Sequence, residues 1–294
     1  MSGSIGGNRI KRKNVENTLV NNYNNILSGF ENFSKYSITG SYNAGKKEDH
    51  GDIDLCIFID SKEDLKIIKK KFKEYLESKD DLQIVPFRSG KNIGKKAQLY
   101  GNIVTCQIPI DGQEGEYVQV DNIIVNDENS MYFVKNFLDL DAQKQTLFTA
   151  IVRVIGNEII ENIYKDHFQG IQLKENQEFE FVLSMFSLSL RIVTLDDDKK
   201  EIERQDIWKT SDWNHVRHIL SSILKIDNYH LYTLSFEELL EIVKYRFADN
   251  ERARKRIYGI MKSMINIGPG EVGTEKGNNK QNAIDLTYEK LINI

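Results

Sequence analysis

The chain has 294 residues, 40% of them apolar and 29% charged, and its 40 basic residues face 44 acidic ones for a net charge of −4. That length accommodates two domains, each able to bury a core of its own. The charge balance excludes a protein that coats nucleic acid through bulk positive charge, and no run approaches the ~18 consecutive apolar residues of a membrane-spanning helix.

Near the start, Arg9, Lys11, Arg12 and Lys13 lead into a polar stretch with no apolar segment, so no secretion signal is read and a cytoplasmic location is expected. Val15, Leu19, Tyr23, Ile26, Leu27 and Phe30 then recur at three- and four-residue steps, which predicts one amphipathic helix over 9–33. A short strand over 36–39 ends in Gly40-Ser41, and a polar loop leads to a second strand over 53–59. Residues 64–78 read as a helix with Leu65, Ile68, Phe72 and Leu76 on one face and lysines on the other. Further strands are expected over 82–87, 99–108 and 117–125, separated by turn residues that include Ser89-Gly90 and Asp111-Gly112. Cys56 and Cys106 lie in apolar strand-like surroundings and are expected to be buried free thiols.

Beyond Asn126 the apolar period becomes helical, over 143–164, 178–195, 212–224, 236–247 and 251–265. A glycine-rich loop over 268–280 precedes a last helix near 283–292, and Asp141, Ser211 and Ser235 are candidate helix N-caps. The expected organisation is α+β: a sheet domain over 1–126, followed by an all-helical domain over 127–294 that binds substrate or encloses the nucleotide. Within the helical half, Trp208 and Trp213 are assigned to the core. The charges of Arg252, Arg254, Lys255 and Arg256 spread around a helix and read first as a solvated face, though this run is the best candidate for nucleic-acid contact. Lys276 and Lys280 are candidates for closing over a phosphate, with a mobile surface connection the equal alternative.

The chemistry concentrates in the first half. Asp52 and Asp54 flank Ile53, so an extended strand points both carboxylates out of the same face. Two such charges ~5 Å apart repel by roughly 3 kcal/mol at an effective dielectric near 20. Hard oxygen ligands at this spacing suit Mg²⁺ or Mn²⁺. Asp121 sits in the apolar strand Val118-Gln119-Val120-Asp121-Asn122-Ile123-Ile124, where a carboxylate is unfavourable unless it is paired or metal-bound. If that strand lies beside the first, three carboxylates converge, and such a site supports two metal ions ~3.5–4 Å apart. Gly40 lets the backbone approach a phosphate closely, and the Ser41 hydroxyl can donate to it. His50, next to the site, could orient a phosphate or an acceptor, although a solvated loop histidine is the plainer reading.

The segment Ile38-Thr39-Gly40-Ser41-Tyr42-Asn43-Ala44-Gly45, continuing to Gly51-Asp52-Ile53-Asp54-Leu55, resembles the signature of the DNA polymerase β-like nucleotidyltransferase superfamily, closest to its family X form. The helical remainder is similar to that of nucleotidyltransferases encoded by tailed phages. The resemblance implies a polymerase β-like sheet, with Gly40 and Ser41 on the nucleotide phosphates and Asp52 and Asp54 binding two Mg²⁺ or Mn²⁺ ions. It also implies that Asp121 serves the ion that activates the acceptor hydroxyl. Two departures stand out: Asn43 and Ala44 replace an arginine pair, and Gln119 stands where family X often has arginine. Lys46 and Lys47 are the candidate substitutes on the phosphates, though a flexible lysine is not a fork-shaped guanidinium. These departures weigh against template-directed polymerisation more than against nucleotidyl transfer. The function expected is transfer of a nucleoside monophosphate from an NTP to a hydroxyl, preferably a nucleic-acid 3′ end, with release of pyrophosphate. The alternatives are nucleotidylation of a protein side chain or small molecule, and a non-catalytic nucleotide sensor with the same fold.

Overall fold

The computed structural model describes residues 7–43, 47–84, 95–156, 171–198, 200–265, 267 and 272–292. The chain is mixed α and β and divides into two compact units, Met1–Asp141 and Ala142–Ile294. The boundary thus falls after Asp141 rather than after Asn126.

Unit 1 begins with β1 (Ile10–Lys11), α1 (Arg12–Asn22) and α2 (Asn24–Ser28), followed by β2 (Phe33–Thr39), β3 (Asp49–His50), β4 (Asp52–Ile59) and α3 (Leu65–Glu77). It ends with β5 (Ala97–Tyr100), β6 (Ile103–Pro109), β7 (Tyr117–Val125) and α4 (Glu128–Asp139). The five-stranded sheet has the order β2-β4-β7-β6-β5; β4 and β7 run parallel, and the other neighbours are antiparallel. Ile53, Leu55 and Ile57 of β4 join Val118 and Val120 of β7 in a core that also takes Val15, Leu19, Ile68 and Phe72 from the helices. Period two on the strands and period 3.6 on the helices put these residues on facing surfaces.

The helix expected over 9–33 is interrupted at Tyr23, which ends α1 with φ −131°. Its buried hydroxyl donates to Asn122 Oδ1 at 2.9 Å and lies 3.4 Å from Cys106 Sγ. The strand expected over 99–108 is a hairpin, because Gly101 turns the chain with φ 54° and pairs Tyr100 with Ile103. Of the strand expected over 82–87, residues 85–87 lie outside the described residues, and 82–84 are not strand. Helix α4 had not been anticipated. Asp127 caps it by accepting from the Ser130 N–H at 2.7 Å, and Phe133, Val134 and Phe137 are buried as it packs on β2, β4 and β7. That packing attaches it to the sheet and moves the boundary past it.

Unit 2 opens with α5 (Ala142–Val154) and then departs from the all-helical expectation. The segment read as a helix over 178–195 is two strands, β8 (Gln177–Leu183) and β9 (Leu188–Leu195), which form an antiparallel sheet with β10 (Glu201–Thr210) in the order β10-β9-β8. Glu178-Phe179-Glu180-Phe181 alternates polar and apolar at period two, and the Ser184 N–H donates to the Ser187 carbonyl to close the turn. Five helices follow: α6 (Trp213–Leu224), α7 (His230–Thr233), α8 (Phe236–Arg246), α9 (Glu251–Met264) and α10 (Glu275–Leu291). Ser235 and Glu238 form the capping box of α8, whereas Asp212, not Ser211, caps α6. Trp213 is buried and Trp208 packs edge-on against Phe181, so neither is an exposed stacking platform. Among the described residues, no helix is long and apolar enough to cross a membrane.

Candidate active site

The register of β4 on β7 decides which carboxylates meet. Asp54 is paired with Asp121 and Asp52 with Gln119, so all four side chains leave the same face of the sheet. Thr39 pairs with Asp54 from β2, and Thr105 pairs with Asp121 from β6. This polar strip crosses four strands. Helix α4 covers the same face farther along, where Cys56 Sγ lies 4.0 Å from the Met131 carbonyl.

Each carboxylate has its own setting. Asp121 is 6% exposed and accepts Thr105 Oγ1 and Gln119 Nε2, both at 2.8 Å and both at Oδ1. Burial is the main cause that pushes its carboxyl up to about 6; Asp52 adds to the shift and the two hydrogen bonds oppose it. Asp52 is buried as well, at 7% exposure. Asp54 is held well above the usual carboxylate range, first by burial and then by Asp52 and Asp121. No hydrogen-bond donor among the described residues reaches its side chain.

Gly40 ends β2 with φ 70°, and the Asp54 carboxylate rests on its α-carbon. A side chain at position 40 would place its Cβ 3.0 Å from Asp54 Cγ, and only glycine combines this backbone with that approach. The turn is braced from α4. Asp139 accepts from Thr39 Oγ1 at 3.0 Å, from Asn43 Nδ2 at 3.1 Å and from the Gly40 N–H. Asn43 also donates to the Ile38 carbonyl at 2.7 Å. Asn43, which stands where the resembled motif has an arginine, therefore serves the turn itself. Asp139 was missed in the sequence; the available signal was the Asp127 cap followed by Phe133, Val134 and Phe137 at helical spacing.

Ser41 Oγ lies 3.0 Å from His50 Nδ1. His50 is 2% exposed, which corrects the solvated-loop reading. The β1–β3 pairing, with Ile10 opposite His50, buries it, and Arg9 holds Asp49 through bonds of 2.6 and 3.0 Å. The same pairing brings in Arg12, whose N–H donates to the Glu48 carbonyl at 2.8 Å and whose guanidinium stacks 4.5 Å over the Tyr42 ring. Lys47 is exposed, and Lys46 lies outside the described residues. Of the cationic run in unit 2, Arg254 turns inward to the Phe247 carbonyl at 2.6 Å and the Leu291 carbonyl at 3.0 Å, so it is a structural tie rather than a nucleic-acid contact. Residues 275–280, expected as loop, are the first turns of α10; residues 268–271 lie outside the described residues.

The donor set fits a hard dication: three carboxylates on one face, one of them without a hydrogen-bond donor, and a second with both bonds at one oxygen. Among the described residues, no three His, Cys, Asp or Glu side chains already stand as a metal-holding group. With Asp54 folded toward Gly40, the three carboxylates share a face by register but are not drawn together at coordination spacing. No protein-family model and no curated protein matches the chain.

Proposed function

We propose that unit 1 is a polymerase β-like nucleotidyltransferase domain. It would move a nucleoside monophosphate from an NTP to a hydroxyl acceptor and release pyrophosphate. One observation carries the reading: Asp54 and Asp121 are registered neighbours on parallel strands, with Asp52 on the same face and the Gly40-Ser41 turn beneath Asp54. A strip of mutually repelling, largely desolvated carboxylates makes physical sense around a cation and is a liability without one.

Asp52 and Asp54 are the residues that would hold two Mg²⁺ or Mn²⁺ ions, with Asp121 joining them on the acceptor side. When bound, the ions supply an activated hydroxyl and neutralise charge on the departing phosphates. The rest is done by the chain. Thr105 and Gln119 fix the orientation of Asp121 by occupying Oδ1. Asp139 locks the Gly40 turn so that its backbone stays close to Asp54. Ser41 offers a hydroxyl at the mouth of that turn.

The acceptor to test first is the 3′ end of an RNA or DNA. The full chain is incubated with labelled NTPs or dNTPs, Mg²⁺ or Mn²⁺, and in turn oligonucleotides, tRNA, and cell lysate as a source of protein and small-molecule acceptors. Label in the nucleic acid supports the preferred acceptor; label in protein or a small molecule replaces it. Nucleotide binding that is indifferent to Mg²⁺, with no label anywhere, leaves a nucleotide sensor in place of an enzyme.

A further inference from the structure

The motif lacks the arginines that the family X signature it resembles sets just after the aromatic residue, and the structure brings a cation to that place from another element. Arg12 opens α1, yet its guanidinium lies over Tyr42, the residue after Ser41. Its Nη1 is buried without a hydrogen-bond partner. His50, 2% exposed, likewise has Nε2 buried without a partner, while its Nδ1 faces Ser41 Oγ. The Tyr42 ring, 5.7 Å from the His50 ring, ties the two groups into one cluster. Buried polar atoms are rarely left unmatched, and a buried cationic donor without an acceptor is among the least favourable.

The Ser41–His50 pair has a useful property whichever tautomer it holds. If Ser41 donates to Nδ1, the ring proton sits on the buried, unpartnered Nε2. If Nδ1 donates to Ser41, the serine hydroxyl is the outgoing donor. Either way the pair presents one N–H or O–H beyond itself, next to a guanidinium with an unused N–H. The ligand that answers two such donors and a positive charge is a phosphate oxygen.

We infer that Arg12 and His50, together with Ser41, form the receptor for the terminal phosphates of the triphosphate, the part that leaves as pyrophosphate. This rests on the nucleotidyl-transfer reading for the identity of the ligand, though not for the existence of an anion site. Arg12 replaces in space the arginine that the motif lacks in sequence.

The test uses the full chain and inorganic tripolyphosphate, titrated calorimetrically with and without Mg²⁺. Arg12→Gln removes the charge. His50→Asn keeps a polar atom near Ser41 and deletes Nε2. Each should weaken tripolyphosphate binding by about tenfold or more, and should raise the KM for NTP by a similar factor, with unfolding unchanged. Should either variant fold poorly, the wild type suffices. In a ¹⁵N-histidine spectrum of the five histidines, the His50 ring resonances should shift on adding tripolyphosphate. Wild-type affinity in both variants, or an unmoved His50 signal, overturns the inference. The two readings fail separately. If NTPs turn over and KM is unchanged in both variants, the phosphate receptor is refuted and nucleotidyl transfer stands. If tripolyphosphate binds through Arg12 and His50 but no NTP is consumed, the anion site stands and nucleotidyl transfer falls.

Discussion

Asp121→Asn should make unit 1 more stable while removing the function proposed for it. In the folded protein the Asp121 carboxyl is pushed up to about 6, against an ordinary 3.8. A carboxyl raised on folding binds its proton more tightly in the native state. Its contribution is therefore favourable below the unfolded value and is lost as pH rises through about 6. A shift of about two units corresponds to about 3 kcal/mol at pH 8. Asparagine keeps an oxygen to accept from Thr105 and Gln119 and carries no charge, so it escapes this penalty. The magnitude amounts to roughly 10 °C in Tm for a unit of this size. The assay is unfolding of the full chain in EDTA at pH 4 and pH 8, followed by far-UV circular dichroism. Both tryptophans, Trp208 and Trp213, lie in unit 2, so their fluorescence follows unit 2 while circular dichroism follows the whole chain. Asp121→Asn should equal wild type at pH 4 and exceed it at pH 8, and Mg²⁺ should narrow the gap by stabilising wild type alone. A variant no more stable than wild type at pH 8, or a gap independent of pH, would refute the electrostatic reasoning.

Gly40→Ala combines an unfavourable φ of 70° with a methyl pressed against Asp54, and should destabilise unit 1 by about 1–3 kcal/mol and displace that carboxylate. A melt and an NTP-turnover assay on the same sample check both effects. In unit 2, Arg254→Met strands the Phe247 and Leu291 carbonyls and should lower stability by about 3 kcal/mol. Tryptophan fluorescence during denaturant unfolding reads this directly, and unchanged tripolyphosphate affinity would show that unit 1 is intact. Cys56 and Cys106 are buried, and burial holds both thiols up at about 12, so neither should react with iodoacetamide at pH 8 until the protein unfolds. Labelling of either in native protein would contradict the burial.

Much of the site is legible in the sequence because its parts are local. Asp52-Ile53-Asp54 must share a face on any strand, and Gly40-Ser41 must be a turn if strands flank it. The strand over 117–125 and the helix near 65–77 follow from clear periods, and both stand within a residue of expectation at each end. What sequence withholds is pairing. No local signal says that Asp54 lies opposite Asp121 rather than one residue along, and a one-residue slip would send Asp121 to the other face. His50 is visible beside the site in the sequence, but its proximity to Arg12 is hidden for the same reason, since only the β1–β3 pairing makes them neighbours. The strands β8 and β9 were misread because Phe179, Val182, Phe186, Leu190 and Val193 recur at three- and four-residue steps, which also fits a helix. The alternation of Glu and Phe over 178–181 and the β-branched run Ile192-Val193-Thr194 were the better evidence.

The most direct test of the central claim is the rate of Mg²⁺-dependent pyrophosphate release from NTP by wild type and by Asp54→Asn, each in the presence of an acceptor that wild type labels. Asp54 is the residue registered against Asp121 and seated on Gly40, so removing its charge should abolish release while the circular dichroism spectrum and melt of the variant stay at least as good as those of wild type. Pyrophosphate release at an undiminished rate from folded Asp54→Asn would contradict the assignment of this strip of carboxylates as the catalytic centre.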